Sequence, residues 1–335
     1  MATNPRHDTA RVAFRREFGT KLGKIGAVQH ILRNIVGSKL QLRIVPSIDG
    51  KSRTLVNRVT GAAVRAFLVM ILLVLPSVIL PGIGPDTKQI VALVALFAGA
   101  LAFIEYNAVY PSLVEFRDGA PFNRIRYLML LVTVISLSLI AADAEAPTTL
   151  TRLFSAVGML IGQSLDFPYS PIRIATFMLS EDATSAQVLA LRTAAGTAYF
   201  ISVLSLAVFV VVLKLAGWPS SGNAFNVWVN LPTFEPSAGG DVINRLERDS
   251  RLNLAIGFLL PFLIPTVITL GTSGLPAATL TSSQTMVWTM AAWSFLPASL
   301  LMRGVAMARI ADMIRMKRDL KLADKASATL DRVVV

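Results

Sequence analysis

Apolar positions in this chain gather into long runs separated by shorter polar stretches, and the length of each run sets the first expectation. About 20 consecutive apolar residues in a helix cross the hydrocarbon core of a bilayer. Six runs meet or approach that length: 61–80, 90–106, 127–142, 194–216, 252–270 and 285–302. The pattern predicts an all-α polytopic membrane protein with six transmembrane helices in a membrane domain covering 61–302. A further apolar stretch, TLTRLFSAVGMLIGQSL at 149–165, is near the minimum spanning length. In it Leu150, Leu153, Val157, Leu160 and Ile161 recur at helical spacing, and Gly158 and Gly162 stand four apart, a spacing that lets a neighbouring helix approach closely.

The flanks follow a different pattern. In 1–60, Phe14, Phe18, Leu22, Ile25, Leu32 and Ile35 alternate with Arg11, Arg15, Arg16, Lys21, Lys24 and Arg33. That is the pattern of a basic amphipathic helix lying on anionic headgroups, so this region reads as a cytoplasmic surface helix. The C-terminal region 303–335 sets Ile310, Met313, Ile314 and Leu320 against Arg309, Arg315, Lys317, Arg318 and Lys321, and reads as a basic cytoplasmic helix.

Charge orients the domain. Residues 1–65 hold 13 Lys and Arg, 107–126 hold 3, 214–251 hold 4, and 8 lie from Arg303 onward. All 28 fall on one side of a six-span topology, and Lys88, Arg152, Arg173 and Arg192 remain on the other. Cytoplasmic loops are the ones enriched in Lys and Arg, so both termini are expected in the cytoplasm of a bacterial inner membrane. A seventh span at 149–165 would reduce this asymmetry to about 18 against 14. The segment is therefore expected to lie in the interface or re-enter from the outer side.

Composition narrows the chemistry. The chain is 54% hydrophobic and 16% charged, with a mean hydropathy of +0.61, whereas soluble domains carry about 25% charged residues. The net charge of +12 follows from the inner loops, and no aromatic platform accompanies it, so no nucleic-acid partner is expected. Cysteine is absent, and the two histidines, His7 and His30, both lie near the N-terminus. Thiolate chemistry and an HExxH metal site are therefore ruled out. No cofactor, metal or catalytic residue is expected.

One motif tests that expectation. TLGTSGLP, at 269–276, contains Gly-x-Ser-Gly around Ser273, a form that resembles the nucleophile motif of rhomboid intramembrane serine proteases. The resemblance implies a later histidine as general base, and no histidine follows His30. Ser273 thus reads as part of a Gly- and Pro-rich outer turn.

Three other features remain. Glu105, beside Tyr106 and Tyr110, is a polar site at the membrane edge, read either as a cation site or as an interface residue paired with Arg124 or Arg126. Pro76, Pro81, Pro261, Pro265 and Pro297 are expected to kink the first, fifth and sixth spans. In the inner loop, Phe225, Trp228 and Phe234 are candidate anchors for a membrane-protein partner, and Trp218 and Trp228 also suit an interfacial belt. The expectation is a non-enzymatic subunit, assembly factor or scaffold of a membrane complex, with a transporter or channel for a neutral or hydrophobic solute as the alternative.

Overall fold

Six helices in this chain are long and apolar enough to cross a membrane, and they set the architecture of the computed structural model. Residues 50–117, 119, 121–180, 182–219, 230–232, 234, 240–271 and 282–334 are described, with side chains from Arg58 to Lys325. Among them are eight helices and no strand: α1 (Gly50–Ile79), α2 (Pro85–Asn107), α3 (Phe122–Ala142), α4 (Thr149–Ser164), α5 (Pro171–Thr176), α6 (Ser185–Ala216), α7 (Val242–Gly271) and α8 (Ser283–Val334). The six candidate spans are α1 from Arg58, α2, α3, α6, α7 and α8.

Each expected span is present, and most helices begin or continue outside their apolar run. Helix α6 starts at Ser185, where Thr184 forms a capping box with Gln187, nine residues before the expected start. Asp241 and Val242 stand at the head of α7, ten residues early. Most notably, α8 continues unbroken for 52 residues. The last span and the basic C-terminal region are one helix, because Arg and Lys favour helix as strongly as the apolar residues before them. Pro81 lies in the turn after α1 and not within it. The Ser273 motif, Phe225, Trp228 and the N-terminal amphipathic pattern lie outside the described residues.

Helix α8 is the hub, packing on α7, α6, α3 and α1, while α2 packs chiefly on α1. Consequently α2 shows most of its apolar surface, with Leu93 68% and Phe97 74% exposed, as suits a helix bathed in lipid. Two buried clusters fill the bundle. One joins Phe122, Met129, Phe209, Leu246, Met302 and Ile310 at the end that carries the 108–121 and 217–241 connections. The other joins Leu137, Ile172, Leu191, Ala195, Met290 and Trp293 toward the opposite end.

The amphipathic 149–165 stretch is α4, which at 16 residues is about 24 Å long. Thr148 and Thr151 form its capping box, and Thr151 also donates to Asp143 at 2.9 Å. Leu150, Leu153 and Leu160 face away from the bundle, each more than half exposed. The glycines face inward. A methyl at Gly158 would meet Thr197 Oγ1 at 2.8 Å, and one at Gly162 would meet the Arg192 carbonyl at 2.8 Å. Gly196 on α6 sits directly over Gly162, so the two backbones approach at a distance that side chains would prevent.

Candidate functional site

Two places bring chemically distinctive residues together. The first is a charged node at the 108–121 end. Glu105, in the last turn of α2, accepts the backbone N–H groups of Ser112 and Leu113 at 3.0 Å and of Val114 at 3.3 Å, and the Ser112 hydroxyl at 2.6 Å. Among the described residues, the expected ion pair with Arg124 or Arg126 is not formed. The carboxylate instead satisfies donors that a tight connection would otherwise leave unpaired. The ion pair is made by Glu115, which accepts Arg303 Nε at 2.6 Å and Nη2 at 2.9 Å in a bidentate fork. Arg303 also donates to Asn253 Oδ1 at 3.0 Å, joining the 108–121 connection to α7 and α8.

Around this pair the connection folds inward. Phe116 is fully buried with a left-handed backbone (φ 51°), and its N–H donates to Asn230 at 2.6 Å. Its ring lies 4.2 Å from Phe122 and 6.1 Å from Trp218. Trp218 is thus partly buried against the core. Phe234 is 5% exposed and carries the Arg245 guanidinium 4.8 Å above its ring. As one of the candidate partner anchors, it is already covered by its own chain. The Arg126 guanidinium lies between the Phe122 and Phe295 rings, at 5.1 and 5.4 Å, where ring quadrupoles offset its charge.

The second place is a cleft of about 230 Å³ between α6, α7 and α8, capped by the α4–α5 connection. Prolines create it. Pro265 has no N–H, which leaves the Pro261 carbonyl without its helical partner. Trp293 Nε1 on α8 takes that carbonyl at 3.0 Å while fully buried. The Trp293 ring lies 5.9 Å from Tyr199, and Phe258, Phe262 and Pro297 complete the wall. Two serines line the cleft and both hydroxyls turn back to their own helices, Ser202 to Tyr199 O at 2.7 Å and Ser294 to Ala291 O at 3.2 Å. The interior is therefore apolar.

Next to Phe167, which lines the cleft, Asp166 bridges Arg173 and Arg192, with each Nε 2.8 Å from a different carboxylate oxygen. The hydrogen bond to Asp166 pushes the Arg173 pKa up. This triad anchors the turn that presents Phe167 and Tyr169 at the mouth; Tyr169 is 87% exposed with φ 65°.

The charge node was missed from sequence because its partners are 188 residues apart. The cleft left a partial signal in the prolines and the aromatic residues near them. Comparison with protein-family models, curated proteins and solved structures finds no match for this chain.

Proposed function

We propose that this integral membrane protein is a non-enzymatic subunit, assembly factor or scaffold of a membrane-protein complex in a bacterial inner membrane, with both termini cytoplasmic. The observation that carries the reading is the excess length of α8. Its pairing with α7 extends to Arg318, which donates to Asp241 at 2.7 Å, and the helix then runs on to Val334. That leaves roughly 24 Å of helix, at 1.5 Å per residue, beyond the start of α7. An isolated helix of this length is marginal in water. Leu320 and Leu322 are each about 60% exposed or more along it, as suits a helix completed by a partner. The 28-to-4 division of basic residues supports the cytoplasmic placement of this end. The 149–165 helix, with its leucines outward, suits an interfacial or re-entrant position on the other side, and anionic headgroups suit the basic N-terminal region.

Removal of 319–335 is expected to eliminate a co-purifying chain from gently solubilised native membranes while the melting of the six-span bundle is unchanged. Identical co-purifying chains with and without the segment would refute the reading. The cleft among kinked helices favours one alternative, a transporter or channel for a neutral or hydrophobic solute, and solute flux in proteoliposomes blocked by Ser202→Trp would establish it.

A further inference from the structure

We infer that the cleft between α6, α7 and α8 binds one hydrocarbon chain of an anionic membrane lipid, whose phosphate meets Arg173 and Arg192. The inference needs only that these helices lie in the membrane, and the topology fusions described in the Discussion test that placement separately.

The tail site follows from shape and saturation. The cleft has walls on two helices, from Trp293 to Leu301 on α8 and from Tyr199 to Leu206 on α6, each about 10–12 Å long at 1.5 Å per residue. The donors of Trp293 and of both serines are already engaged within the protein, so a hydrogen-bond-accepting solute would lose its water without gaining a donor from them. A hydrocarbon chain loses nothing, and it gains contact with Phe258, Phe262 and Trp293.

The head site follows from charge. Two guanidiniums share the carboxylate of Asp166, the residue before cleft-lining Phe167, an excess of one positive charge. The side chains of Arg173 and Arg192 remain 44% and 31% exposed, while that of Asp166 is 9% exposed. Unused donor capacity therefore faces outward. Asp166 immediately precedes Phe167, and Arg192 is two turns before Tyr199 on α6, about 10 Å along the axis. This places a headgroup and the upper part of its chain one above the other. Arginine also matches the geometry of a phosphate, which it can grip bidentately.

The test places the whole protein in nanodiscs of neutral phosphatidylcholine, with a trace of one lipid carrying a photoreactive group near the end of one chain. The probe is either phosphatidylglycerol or phosphatidylcholine. Labelling by the anionic probe is expected to concentrate on Tyr199, Phe262 and Trp293, several-fold above the neutral probe. The double variant Arg173→Gln, Arg192→Gln is expected to reduce the anionic probe to the neutral level, and Ser202→Trp to remove cleft labelling by both probes. Should Ser202→Trp fail to fold, Val203→Trp, at a half-exposed wall position, narrows the same cleft. Inorganic phosphate in excess is expected to leave labelling unchanged, which separates a lipid headgroup from a free anion. Equal labelling by the two probes, or cleft labelling no stronger than that of the lipid-facing Leu93 and Phe97, would overturn the inference.

Discussion

At Gly162 a single missing side chain decides how two helices meet. A leucine there would collide with the Arg192 and Thr193 backbone, and overpacking of this kind costs about 1–3 kcal/mol. Gly162→Leu is expected to lower the melting temperature in detergent, and Leu160→Ala, at an outward position, is expected to leave it nearly unchanged. Equal melting of the two variants would show that the close approach contributes little. Glu115→Gln is the complementary case, removing a carboxylate and leaving the Arg303 fork facing an amide. Loss of one partner from a half-buried pair costs about 1–3 kcal/mol, and the loss is expected in thermal melting along with faster proteolysis in 108–121. At this scale the sequence was partly legible. The Gly158 and Gly162 spacing suggested close packing without saying on what. Glu105 stood out as a carboxylate at the membrane edge, yet its partners are backbone amides, which carry no signature in the sequence.

Helix ends show why the element boundaries were harder to read than the elements. The apolar runs located all six long helices, since lipid demands both apolarity and a helically satisfied backbone. The same signal stops where the chain leaves lipid, but the helix does not. Helices α7 and α8 pass through the polar boundary together, and Ser250 donates to the Gly304 carbonyl at 2.8 Å. Past that point buried Leu246, Met307 and Ile310 continue the apolar contact, and ion pairs flank it. Arg315 pairs with Glu247, and Arg318 with Asp241. The Arg318 hydrogen bond holds the Asp241 carboxyl below its ordinary range. Because its folded pKa is lowered, its contribution is present above the unfolded value of about 3.9 and is lost as pH falls through the folded value. Spin labels at Asn244 and Lys321 are therefore expected to keep a narrow separation from neutral pH to about pH 5 and to spread below about pH 4. Asp241→Asn is expected to give the wider spread already at neutral pH; an unchanged distribution would assign the pairing to other contacts.

For the molecule as a whole, the count of basic residues makes the most direct prediction. Reporter fusions after residues 80, 180 and 280 are expected outside, and those after 120, 235 and 335 inside. An outside C-terminus would reverse the orientation argued from charge. The bundle was legible at this scale because run length and charge asymmetry are properties of the linear chain. The cleft was not, because four separate segments build it and only the folded topology brings Phe167, Tyr199, Phe262 and Trp293 to one place.

The continuity of α8 has a mechanical consequence. Its upper half forms a wall of the cleft around Pro297, and its far end lies 37 residues beyond that proline, about 55 Å at 1.5 Å per residue. A rod of that length magnifies rotation. A change of about 5° in the bend at Pro297 would swing the distal tip by about 5 Å, on the scale of one helical turn. Because Arg318 ties α8 to Asp241 at the head of α7, such a bend would have to carry the start of α7 with it.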